Sequence, residues 1–168
     1  FLIPSAYIHE DLFSDLQTSD PRSLAHLSIR SGKTTQQSCQ LVGMKKAEKS
    51  AGKIVICAHM DSKYDTPGAL DNAAGVAVLL ETAKKLQSSR YDIEIVPFNG
   101  EEYYEASGEV AYLRYIEENH DKIAFVVNID SPCHVGSEIA VSLYNFSADA
   151  KQCADSLMDG RRKVVYGP

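Results

Sequence analysis

Four short stretches concentrate the side chains able to hold a cation. His59-Met60-Asp61 sets an imidazole and a carboxylate two positions apart, so on an extended segment both leave the same side of the backbone. Asp71 follows within Gly68-Ala69-Leu70-Asp71-Asn72-Ala73-Ala74-Gly75, Glu101-Glu102 follows Asn99-Gly100, and Asp130 follows Asn128-Ile129. An imidazole with several carboxylates and no thiolate suits zinc or a similar borderline divalent ion. Two ions sharing a carboxylate and a water would neutralise the acids and supply a hydroxide near neutral pH. A neighbouring Glu that binds no metal could then take the proton. Each group alone also has a plain structural reading. His59-x-Asp61 could be a surface pair, Asp71 a helix N-cap, Glu101-Glu102 acids complementing a helix dipole, and Asp130 a turn residue before Ser131-Pro132. Their common position at the ends of buried strands favours a shared site.

The elements that must position these residues alternate along the chain. Lys53–Ala58, Ile93–Phe98 and Ile123–Ile129 are short apolar runs that predict buried strands, each ending at one of the polar groups above. Between them, Asn72–Leu86 carries Ala73, Val76, Leu79, Leu80, Ala83 and Leu86 at helical spacing. Residues 105–118 do the same with Val110, Leu113 and Ile116. Strand-helix alternation predicts right-handed crossovers and the α/β class, with a mostly parallel sheet sandwiched by helices. In such sheets ligands bind beyond the carboxyl ends of the strands. Ser38–Met44 reads as a further strand, Lys45–Gly52 as a solvated hairpin loop, residues 138–143 as a strand, Ala148–Met158 as a helix, and Val164–Tyr166 as the start of another strand. Residues 1–36, with turn signals at Ser19-Asp20-Pro21 and Ser31-Gly32, read as the tail of an accessory element.

Length and charge narrow the alternatives. With 168 residues, 44% hydrophobic and 24% charged, the chain can bury a core without a disulfide or metal staple. A net charge of −6 argues against nucleic acid as the partner, and no run approaches the roughly 20 apolar residues that span a bilayer. Cys39, Cys57, Cys133 and Cys153 form no CxxC pair and are expected to be free thiols. No phosphate-binding glycine loop and no G-x-S-x-G elbow occurs. Tyr103 and Tyr104 could line a pocket, whereas Tyr112 and Tyr115 are expected to pack the core.

The ordered set Ala58-His59-Met60-Asp61-Ser62, Gly68 to Gly75, Asn99-Gly100-Glu101-Glu102 and Asn128-Ile129-Asp130 resembles the zinc aminopeptidase family with two co-catalytic metals. That family includes glutamate carboxypeptidase-like and glutaminyl cyclase-like relatives. The likeness runs from about residue 38 to 168 and implies the zinc exopeptidase-like (phosphorylase/hydrolase-like) core. Residues 37–168 would then be the N-terminal part of a catalytic domain whose C-terminal part lies outside the chain. Phe1-Leu2-Ile3-Pro4-Ser5-Ala6-Tyr7-Ile8 and the acidic helix after it are similar to the end of a protease-associated insert.

By that resemblance Asp71 bridges both ions, His59 and Asp130 complete one site, and Glu102 binds the other ion. Glu101 is the general base, Asp61 a partner that orients His59, and Asn72 follows a cis peptide bond. The family's last ligand is a His well downstream. His134, the only His after Asp130, is too close to Asp130 to match it, so this chain alone is expected to be an incomplete enzyme. The implied activity is zinc-dependent removal of N-terminal residues from peptides by a metal-bridging hydroxide. A carboxypeptidase, amidohydrolase or cyclase on the same core, or a receptor-like domain without catalysis, are the rivals. Substrate side chain, oligomeric state and compartment stay open.

Overall fold

The computed structural model describes residues 8–24, 26–30, 32, 35, 37–88, 90–103, 106–132, 134–136, 140–158 and 164–166. Its chain separates into two compact units, Phe1–Gln37 and Ser38–Pro168. In the first, α1 spans Glu10–Thr18 and begins where the His9 side chain accepts the Asp11 N–H at 3.3 Å. No residue of α1 is buried. The described residues between 24 and 29 form no regular element, and Leu24, Leu27 and Ile29 are exposed. The segment from Phe1 to Ile8, likened above to the end of a protease-associated insert, falls outside the described residues except for Ile8.

The second unit carries β1 (Gly43–Lys45), β2 (Lys53–His59), α2 (Gly75–Lys85), β3 (Asp92–Phe98), α3 (Ser107–Glu118), β4 (Ile123–Asn128), β5 (Val141–Leu143), α4 (Ala148–Met158) and β6 (Val164–Tyr166). β1 to β4 form one sheet in the order β1-β3-β2-β4, and β5 pairs with β6. β2 runs parallel to both β3 and β4, while β1 is antiparallel to β3. This is the expected mostly parallel α/β sheet. One face buries Ile56, Ala58, Ile93 and Ile95 under Leu79 of α2, with Val76, Ala83 and Leu86 packed around them. The other buries Val55, Cys57 and Val96 against Tyr112 of α3, with Phe98, Ile116 and Ile123.

Several expectations are corrected. The segment before β2 is not a hairpin, since β1 pairs with β3, and of the predicted strand Ser38–Met44 only Gly43 and Met44 are regular, β1 running on to Lys45. Gln40 explains the choice: its side-chain amide donates to the Pro97 carbonyl at 2.7 Å and accepts the Asn99 N–H at 3.1 Å, drawing the segment along the free edge of β3. Lys45 and Lys46 are not merely solvated. Lys45 Nζ donates to the Ala83 and Leu86 carbonyls, which the end of α2 leaves without helical partners, and Lys46 pairs with Asp92 at 3.4 Å.

β4 is not a buried strand either. Phe125, Val126 and Val127 are exposed, because β4 is the edge strand of this sheet and α2 and α3 cover β2 and β3. In α2, Leu80 is exposed. In α3, Val110 and Leu113 are exposed, and of the two tyrosines expected to pack the core only Tyr112 does so, Tyr115 being exposed. The Tyr112 hydroxyl decides that face, donating to the buried Glu94 carboxylate at 2.6 Å. Cys39, Cys57 and Cys153 are free thiols as expected; Cys133 and Tyr104 lie outside the described residues. No helix among the described residues is long and apolar enough to cross a membrane.

Candidate metal centre

Strand register brings the first two candidate groups level. Cys57 of β2 lies beside Asn128 of β4, and the pairing continues as Ile129 N–H donates to the Cys57 carbonyl at 2.9 Å. Two residues further on each chain stand His59 and Asp130. His59 is buried at the end of β2, and its Nδ1 lies 3.1 Å from the Asp61 carbonyl oxygen. That contact turns Nε2 outward, to 2.9 Å from Asp71 Oδ1 and 3.4 Å from Asp130 Oδ1.

Asp71 arrives on a wide helical turn, Ala69–Ala74, entered through Gly68 at φ 62°. The backbone leaves helical values at Asp71 and Asn72, and the peptide between them is cis, as the resemblance implies. α2 accordingly starts at Gly75, three residues after the predicted Asn72. Asn72 instead turns into the core, only 1% exposed. Its Oδ1 accepts the N–H groups of Gly75 at 3.0 Å and Ser131 at 3.1 Å, and its Nδ2 donates to the Ile129 carbonyl at 2.9 Å. Gly75 is required there, since a Cβ would overlap the Asn72 amide. The residue after Asp71 is thereby tied to both neighbours of Asp130.

Glu101 and Glu102 follow β3. Their N–H groups donate to the two oxygens of Asp61, each at 3.1 Å. The Glu102 carboxylate pairs with Lys63 at 3.3 Å, and the Tyr103 hydroxyl donates to the Ser62 carbonyl at 3.3 Å.

Charge follows this crowding. Burial works against protonated His59, but the Asp61 carbonyl and the negative Asp130, Glu101 and Asp71 outweigh it and raise its pKa above the ordinary value. Glu101 is raised as well. Partial burial is the main cause, the His59 charge opposes it, and Glu102, Asp130 and Glu109 add to it. One imidazole nitrogen and two half-exposed carboxylates thus call for positive charge between them.

The donor set passes the chemical test for a metal. Ligand atoms of His59, Asp71 and Asp130 all lie within 4.8 Å of one another, and a neutral imidazole with two carboxylates is a zinc-type combination. Glu102 is not part of that group; its carboxylate faces Lys63. Asp61 stands nearby with its carboxylate oxygen 3.8 Å from His59 Nδ1. Sequence reasoning did not anticipate Lys63, Gln40 or the bonding of Asn72. Their contacts join positions 39 to 59 residues apart, and no local pattern signals them.

An α/β sheet with a His and carboxylates gathered at its carboxyl edge is the arrangement of a metal-dependent enzyme. Residues 40–165 match peptidase family M28, and the chain belongs to that family of metallopeptidases, whose usual metal is zinc. It is similar to aminopeptidase YwaD of Bacillus subtilis (strain 168), being 40% identical over 73 residues, 41% of this chain and 16% of that protein. Its fold is similar to the crystal structure of Legionella LapA, with a TM-score of 0.59 and 22% identity over 76% of this chain and 38% of the other. The chain therefore spans well under half the length of either relative.

Proposed function

We propose that the chain forms part of a zinc exopeptidase, an aminopeptidase, in which His59, Asp71 and Asp130 hold one ion and Glu101 is the general base. The observation that carries this reading is the meeting of these three side chains within 4.8 Å at the strand ends. The similarity to an enzyme named an aminopeptidase supports the choice of exopeptidase. Asp71 would be shared with a second ion reached by Glu102, whose carboxylate would then exchange its Lys63 contact for the metal. Bound zinc would supply a Lewis acid for the scissile carbonyl and a water of lowered pKa.

The chain's own residues then have distinct tasks. Asp61 presents its carbonyl to His59 Nδ1, fixing Nε2 as the donor toward the cluster. Glu101, with a pKa raised above the usual carboxylate value, is a better proton acceptor than an ordinary surface Glu. It takes the proton as the water's oxygen adds to the peptide carbonyl carbon, and returns it to the departing amine as the C–N bond breaks.

The test is a pair of variants in the longest polypeptide containing this chain, assayed on aminoacyl-nitroanilides and on N-blocked peptides. Glu101→Gln should keep metal and lose about 10²- to 10⁴-fold in kcat. Asp71→Asn should lose metal. Near-normal turnover in Glu101→Gln removes Glu101 from the mechanism, and cleavage of the N-blocked substrate alone replaces the aminopeptidase assignment.

A further inference from the structure

The carboxylate of Asp61 is placed for a task other than orienting His59. Its oxygen stands 3.8 Å from His59 Nδ1, beyond a hydrogen bond, and the contact at 3.1 Å is made by the Asp61 main-chain carbonyl. Any residue at 61 supplies that carbonyl. The carboxylate oxygens instead accept the N–H groups of Glu101 and Glu102, one each, at 3.1 Å. Among the described residues, neither amide has a backbone acceptor. The Asp61 side chain is 12% exposed, so these charge-assisted bonds are little screened by water. Two further contacts lie alongside, from Tyr103 to the Ser62 carbonyl and from Lys63 to the Glu102 carboxylate. The loop after β2 and the loop after β3 are thus joined by consecutive residues on each.

We propose that Asp61 is a positioning residue for the Glu101–Glu102 turn: its carboxylate clasps both amides and fixes the backbone from which the two Glu side chains project before any metal or substrate binds. The catalytic meaning of the clasp rests on the peptidase reading above; the clasp itself does not. The turn entered through Gly100 at φ 89° is closed by one long backbone bond, from the Tyr103 N–H to the Gly100 carbonyl at 3.4 Å, and by the Gly108 N–H donating to the Asn99 carbonyl at 2.8 Å; neither uses the Glu101 or Glu102 amide. The two bonds across 40 and 41 residues of chain supply the constraint. Asp61→Asn keeps the shape and one acceptor oxygen but turns an NH₂ toward the other amide, so one bond is lost.

The experiment is nuclear magnetic resonance on the metal-free 168-residue chain, wild type and Asp61→Asn. In the wild type, through-hydrogen-bond coupling should link the Asp61 carboxylate carbon to the Glu101 and Glu102 amide nitrogens. In Asp61→Asn at least one of those amides should exchange with solvent about tenfold faster or more. The amides of Val55, Ile56 and Cys57 should keep their protection, showing an intact sheet. The His59 ring nitrogen shifts, which report its tautomer, should not move. Absence of the coupling in the wild type overturns the clasp, whatever the variant does. So does a changed His59 tautomer with undiminished protection at Glu101 and Glu102, which would return Asp61 to the role of orienting His59. A clasp seen in a polypeptide whose longest form cleaves no peptide would leave this assignment standing and sink the peptidase reading alone.

Discussion

Replacing Asn72 with Ala should damage both stability and metal affinity, by amounts that follow from its contacts. The side chain is 1% exposed and makes three hydrogen bonds, to Gly75, Ser131 and Ile129, at 2.9 to 3.1 Å. Alanine removes all three and leaves two N–H groups and one carbonyl without that partner where water enters poorly. At about 1 kcal/mol for each net bond, with more for any group left dry, the loss is roughly 3 kcal/mol. With a urea slope of roughly 1.5 kcal/mol/M, the unfolding midpoint falls by about 2 M. The same bonds tie the peptide after Asp71 to the residues on either side of Asp130, so the spacing of two candidate ligands loosens. Supports of this kind typically carry a 10- to 100-fold effect on metal affinity. Asn72→Asp should not rescue the site: it keeps the oxygen that accepts from Gly75 and Ser131, but its second oxygen replaces the donating amide, faces the Ile129 carbonyl and adds negative charge beside Asp71 and Asp130. Urea unfolding of the metal-free chain followed by circular dichroism, with calorimetric zinc titration of the same samples, measures both effects. A loss below about 1 kcal/mol together with unchanged zinc affinity would refute the reasoning.

Lys53→Met should cost about 3–5 kcal/mol in urea unfolding. Glu94 is fully buried and would lose its 2.6 Å partner, Asp121 would lose its 2.5 Å one, and Tyr112 alone would be left to bond Glu94. A cost under about 1 kcal/mol would show that water already reaches this cluster. Cys57 should resist iodoacetamide at pH 8 while Cys39 and Cys153, both exposed, react. Burial, helped by the Glu109 charge, pushes the Cys57 thiol up to about 12, leaving only about 10⁻⁴ of it as thiolate at that pH. Peptide mapping by mass spectrometry reads the outcome, and equal labelling at all three positions would contradict the packing of β2.

The order of the candidate metal ligands, the alternation of strand and helix, and the mostly parallel sheet were legible from the chain alone. The signals were local: β-branched runs at 53–58 and 93–98, the spacing of Val76, Leu79 and Ala83, and a polar residue closing each run. Local chemistry of that sort fixes which residues can enter a core and which must leave it. Three features lay beyond its reach, each depending on which distant segments meet. β1 chose β3 because Gln40 could bond Pro97 and Asn99, a competition between sheet edges that no turn signal encodes. β4 looks buried by composition and is exposed by position, since hydrophobicity says nothing about which strand ends a sheet. At the site, His59-x-Asp61 suggested a carboxylate steadying an imidazole, yet the fold brings the Glu101 and Glu102 amides within reach of that carboxylate and leaves the imidazole to a main-chain carbonyl. Sequence determined the inventory of charged groups on this edge; tertiary structure decided their partners, because an acceptor bonds whichever donors the fold brings within about 3 Å in the right direction.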